Sequence, residues 1–205
     1  MTPTLTADEH DAFYEICNIA MGRAGGTLAM FLDHVVELSV PDVAILDVDE
    51  VWDFLRELES PDQMTTLVRQ SFYGPLSGEV IACHTRSPAD DMALVLGYDR
   101  AGGGSNQREF ILDLSSLLCG AVVSGIGEQL GMEVGFSAPT PVASLDEFQP
   151  SAPGPDFAWS TALVSRVRLG LQGRRFTSQI VSFFPDRSFE TMSQAVDRFL
   201  EEFAT

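Results

Sequence analysis

From residue 7 to about residue 32 the apolar positions of this chain recur at helical spacing. Phe13, Cys17, Ala20, Ala24, Leu28 and Phe31 share one face of a 3.6-residue helix. Asp11, Glu15, Asn18, Gly22, Gly25 and Ala29 form a narrow stripe on the opposite face. The helix has a defined start: in Thr6-Ala7-Asp8-Glu9, Thr6 is placed as N-cap and Glu9 completes a capping box. Residues 35–40 then alternate as a strand, which Pro41 ends because proline has no N–H for a ladder. Residues 43–46 are a second short apolar run, and residues 47–58 read as a short helix with Val51, Phe54 and Leu55 inward. Residues 65–73 and 79–85 alternate as two strands of a hairpin, joined at 74–78. Ser87-Pro88 opens a further helix to about residue 97, with serine at the N-cap and proline in the first helical position.

The same pattern then begins again. Residues 101–106, with three consecutive glycines, read as a flexible joint, followed by a long helix over 108–130, a strand over 132–137, and Pro139. One offset of 98 lays Glu109 on Asp11, Asp113 on Glu15, Ser116 on Asn18, Gly120 on Gly22 and Pro139 on Pro41. A loose stretch at 149–155 precedes two long alternating strands, 161–171 and 176–184, joined at 172–174 as a prominent hairpin. A last helix, 188–203, turns Met192, Ala195, Val196, Phe199 and Leu200 inward. The pattern predicts an α+β fold: one domain over 1–205, made of two interlocked repeats (about 6–100 and 107–204). Two long helices are expected side by side on one face of a largely antiparallel sheet, related by a pseudo-two-fold axis.

Charge narrows the function. The 205 residues carry 30 acidic and 12 basic side chains, a formal net charge of −18. Nucleic acid is excluded, because its binding rests on clustered Lys and Arg that neutralise phosphates, and an anionic membrane surface is excluded for the same reason. Every basic side chain is arginine, so lysine nucleophiles and phosphate-loop lysines are absent. Cys17, Cys83 and Cys119 are far apart and odd in number, as buried thiols are, and His10, His34 and His84 show no ligand spacing, so no metal site is expected. With no signal-peptide pattern and no uninterrupted apolar run of bilayer length, the chain reads as a soluble cytoplasmic protein.

What remains is the polar stripe. Asn18 is one of only two asparagines, and it lies one helical turn from Glu15, above glycines that would let another backbone come close. The spacing Asp11-x3-Glu15-x2-Asn18-x22-Pro41 resembles the active-site signature of the CheC/CheX/FliY family of chemotaxis phosphatases, most of all CheC. The segments Glu15-Ile-Cys-Asn18-Ile-Ala-Met-Gly22-Arg-Ala24 and Val35-Val-Glu-Leu-Ser-Val-Pro41 resemble that family's first helix and strand, and the order of the later elements extends the resemblance over nearly the whole chain. It implies hydrolysis of the aspartyl phosphate on a CheY-like receiver domain, with magnesium held by the receiver and no cofactor of the chain's own. Asn18 would place the attacking water, Glu15 would pair with the receiver's active-site lysine, and Asp11, Gly22 and Pro41 would support docking. In the second repeat Glu109 is acceptable, Asp113 is one methylene short and Ser116 lacks the carboxamide, so one competent site per chain is expected. The alternative is a non-catalytic module that binds a receiver or CheD, or a flagellar-switch component of the FliM type. CheD is an additional possible partner in either case, and the oligomeric state is left open.

Overall fold

A computed structural model describes residues 6–39, 42–47, 50, 51, 53, 54, 56, 64–85, 103–142, 161–173 and 177–203. Three helices, α1 (Ala7–Leu32), α2 (Gly103–Gln129) and α3 (Asp186–Phe203), accompany eight strands. The strands are β1 (Val36–Leu38), β2 (Asp42–Asp47), β3 (Met64–Tyr73), β4 (Gly78–Thr85), β5 (Gly135–Phe136), β6 (Thr140–Val142), β7 (Thr161–Leu171) and β8 (Thr177–Pro185). They form one antiparallel sheet in the order β1-β7-β8-β4-β3-β5, with β2 also pairing β7 and β6 also pairing β3.

That order is a palindrome. The short strands after each long helix do not pair with the hairpin that follows them; they cross to the hairpin of the other half. Asp42 pairs with Arg166 and Thr140 with Arg69; Leu38 pairs with Leu169 and Phe136 with Phe72. The offset of 98 read from the helices therefore becomes 97 along the long strands, and the halves interlock about an axis between β4 and β8. The prominent hairpin β7–β8 consequently lies inside the sheet.

Each face of the sheet has its own core, as alternation requires. Val68, Phe72, Val80, Ala82, Leu163, Val167, Ile180 and Phe184 pack beneath α1, α2 and α3. Leu67, Ile81, Cys83, Ala162, Val164, Val181 and Phe183 point to the other face, where Val51 and Phe54 cover part of them. The described residues at 50–56 are helical, as expected. The helix expected at 87–97, the loop at 149–155 and Pro41 lie outside the described residues.

Two expectations need correction. Gly103–Asn106 belong to α2 and not to a joint: a helix whose buried face from Phe110 onward is fixed by tertiary packing extends over residues of poor propensity. The strand expected at 132–137 shrinks to Gly135–Phe136, with pairing resumed at Thr140 beyond Pro139. The interruption has a visible cause. Ser137 N–H donates to the Ser71 carbonyl (2.9 Å), but the returning Ser71 N–H donates to Ser137 Oγ (3.0 Å) in place of a backbone carbonyl. Ser39 does the same with Arg168 in the first half (2.9 and 3.0 Å). Over Arg108–Gln129, α2 is long and apolar enough to span a membrane by composition; here Phe110, Leu114, Leu118, Val122 and Ile126 are buried in the core.

His84 is fully buried between α2 and β8, with Nε2 2.7 Å from Ser115 Oγ and Nδ1 3.0 Å from Ser178 Oγ. Burial lowers its pKa from 6.5 to about 4. The folded state therefore favours the neutral ring, and the unfolded chain takes up the proton first. The stability due to this residue is complete above pH 6.5 and falls away as the pH drops towards 4, by roughly 3 kcal/mol across that window. Urea midpoints measured across it should fall more steeply for the wild type than for His84→Gln.

Candidate functional site

The capping box that starts α1 is present in full. Glu9 N–H donates to Thr6 Oγ1 (3.2 Å) and Thr6 N–H donates to Glu9 Oε2 (2.7 Å). Glu9 is also buried, and its second carboxylate oxygen accepts the Ser193 hydroxyl of α3. These bonds, the Ser193 one above all, hold its carboxyl below the usual carboxylate range against the opposing effect of burial. The start of α1 is thus fastened to a second helix. Sequence reading supplied the cap but not Ser193, because nothing local marks a contact 184 residues away.

Along α1 the two faces separate as the pattern predicts. Phe13, Cys17, Ala20, Ala24 and Leu28 are buried, while Asp11, Glu15, Asn18 and Gly22 are exposed and Gly25 and Ala29 half-buried. Asp11 is 88% exposed, with His10 Nδ1 3.7 Å from its carboxylate. Neither the Glu15 nor the Asn18 side chain has a hydrogen-bond partner among the described residues. Beside Asn18 an open groove of about 350 Å³ runs between α1 and the strand that follows it, lined by Asn18, Met21, Gly22, Gly25, Val36, Leu38 and Ser39. Gly25 sets its width: a Cβ there would lie 3.1 Å from Leu38 Cδ1.

The second stripe differs. Glu109 and Asp113 are exposed, and Ser116, Gly120 and Pro139 half-buried. Ser116 Oγ accepts a hydrogen bond from Gln70 Nε2 of β3 (3.2 Å). The two hydroxyl and carboxamide counterparts thus meet different surroundings, one open and one bonded to the sheet.

Gly22 and Gly120 are not packing glycines. A Cβ at Gly22 or Gly120 would meet nothing within 4 Å, whereas one at Gly125 would lie 3.1 Å from Ala20 Cβ and 3.3 Å from its carbonyl oxygen. Gly125, which the pattern did not single out, is where the long helices approach. Gly125→Leu is therefore expected to destabilise the fold by about 1–3 kcal/mol through overpacking. Gly22→Gln should stabilise it by up to about 1 kcal/mol through helix propensity. Thermal unfolding of both variants checks the pair.

Other chemistry is thin. Cys17, Cys83 and Cys119 are free and buried, each thiol pushed up to about 12 chiefly by desolvation. Among the described residues no group of three His, Cys, Asp or Glu could hold a metal ion. A bidentate ion pair, Arg69 with Glu79 (2.8 Å for each bond), lies on β3 and β4 on the sheet face away from the long helices.

No protein-family model matches the chain. Solved structures do. FliY of Thermotoga maritima superposes with a TM-score of 0.68 at 18% identity, covering 96% of this chain and 99% of that one. FliM of H. pylori, solved in complex with SpeE, gives 0.66 at 13% identity, covering 95% and 97%. The chemotaxis protein CheX of Desulfovibrio desulfuricans gives 0.50 at 11% identity, covering 82% and 99%. With its palindromic sheet and paired long helices, the chain has the CheC/CheX/FliY-type fold.

Proposed function

We propose that this protein hydrolyses the aspartyl phosphate of a CheY-like receiver domain. The observation that carries the reading is the state of Asn18: exposed, bonded to no described residue, and lining an open groove on a helix whose opposite face is locked into the core. An acyl phosphate is already activated, so what is needed is to hold a water in line with phosphorus. The water oxygen bonds to phosphorus, the bond to the aspartate carboxylate breaks, and the water's proton passes to phosphate or solvent. A carboxamide suits this task because it donates and accepts hydrogen bonds without titrating. Magnesium belongs to the receiver in this scheme. Glu15, one turn towards the N-terminus, pairs with the receiver's lysine and fixes the docking register, and Asp11 extends that edge. Gly22 leaves room for the receiver backbone, which is why Gly22→Gln, though stabilising, should weaken receiver binding.

The likeness to FliM favours a second reading, a binding module without turnover. Turnover number separates the two. At one molecule of this protein per hundred of phosphorylated receiver, an enzyme discharges the whole pool faster than the receiver's own hydrolysis. A binding module protects or releases at most its stoichiometric share.

A further inference from the structure

Gln70 marks the sharpest difference between the two halves. The strand registers that pair Arg166 with Asp42 and Arg69 with Thr140 place residue 70 of β3 where residue 167 stands in β7. Val167 is buried in the core beneath the helices. Gln70 is equally buried, but its Nε2 donates to Ser116 Oγ (3.2 Å) and to the Ser137 carbonyl (2.8 Å). Ser116 and Ser137 are the counterparts of Asn18 and Ser39, which line opposite walls of the first groove. In the second half one carboxamide bridges the walls that stay apart in the first. Its own Oε1 is buried with no partner among the described residues, a desolvated acceptor that offsets part of what the two bonds contribute.

We propose that Gln70 closes a latent second site: the stripe Glu109, Asp113, Ser116 and Gly120 is a copy of the first, shut by a side chain rising from the sheet. The catalytic consequence rests on the phosphatase reading; the closure does not. Two experiments on the full chain separate them.

The first reads access. Because Cys17, Cys83 and Cys119 are buried, a cysteine introduced at 18 or 116 is the fast-reacting thiol towards N-ethylmaleimide. Asn18→Cys should label about tenfold or more faster than Ser116→Cys, and adding Gln70→Val should remove most of that gap. Equal rates with Gln70 in place, or an unchanged gap without it, overturn the proposal whatever the protein's activity.

The second reads chemistry, as phosphate release from a phosphorylated receiver. In an Asn18→Ala background, Asp113→Glu with Ser116→Asn should stay at the receiver's own rate. Adding Gln70→Val should then raise the rate about tenfold, a partial recovery of what one positioned donor contributes. Activity before Gln70 is changed, or none after it in a variant with wild-type circular dichroism beside an active wild type, overturns the proposal. An inactive wild type overturns the phosphatase reading instead, and the labelling result then decides the closure alone.

Discussion

Asn18→Ala should lower catalysed release of phosphate from the receiver by about two to three orders of magnitude, the usual loss when one positioned hydrogen-bonding group is removed from a reaction centre. The same change should leave the fold intact. Asn18 is exposed and bonded to no described residue, so its removal breaks nothing internal, and alanine is the better helix former by several tenths of a kcal/mol. Receiver affinity should stay within about threefold, since a group that acts mainly on the attacking water contributes little to the ground-state complex. The loss therefore falls on kcat. Asn18→Asp should fare no better: the shape is kept, but the amide donors are lost and a negative charge faces a phosphate. Single-turnover phosphate release with both variants, beside thermal unfolding, checks each part.

Glu15→Ala is expected to act at the other step. A carboxylate meeting a lysine at a protein interface makes a charge-assisted bond, stronger than a neutral one. Its loss should lower kcat/KM by about 10- to 100-fold, largely through KM, which corresponds to roughly 1.4–2.8 kcal/mol. Asp11 is 88% exposed, so Asp11→Ala should change kcat/KM by no more than about threefold, as rim charges do. A double-mutant cycle with the receiver's active-site lysine gives the decisive value. Coupling near zero between that lysine and Glu15 would remove Glu15 from the register-setting role.

Much of this molecule is legible in its sequence because the relevant signals are local or periodic. The Thr6–Glu9 box, the buried face from Phe13 to Leu28 and the strand at 161–171 follow from spacing alone, and the offset of 98 announces two similar halves. What spacing could not reveal is where the halves exchange partners. The crossing of β1 and β2 to β7, and of β5 and β6 to β3, depends on long-range register. So do the Ser39 and Ser137 side chains that stand in for carbonyls at each junction. The joint placed at 101–106 failed over Gly103–Asn106, its described part, for a related reason: glycine propensity is a weak local term, and the packed face of α2 outweighs it. At the site, the stripe was readable, and so was the substitution of Ser116 for a carboxamide. Gln70 was not, since a glutamine inside an alternating strand looks like any other polar residue until its neighbours 46 and 67 positions away are known. Gly125 was hidden in the same way behind the more regular Gly22 and Gly120.

In the proposed reaction the helix beginning at Ala7, and not its copy beginning at Gly103, carries the catalytic carboxamide. The direct measurement is phosphate release from a phosphorylated CheY-like receiver with magnesium, run with wild type, Asn18→Ala and Ser116→Ala at equal concentrations. Wild type should accelerate release, Asn18→Ala should not, and Ser116→Ala should accelerate it as the wild type does. Acceleration that survives Asn18→Ala, or that disappears with Ser116→Ala in a folded protein, would contradict that assignment of the carboxamide.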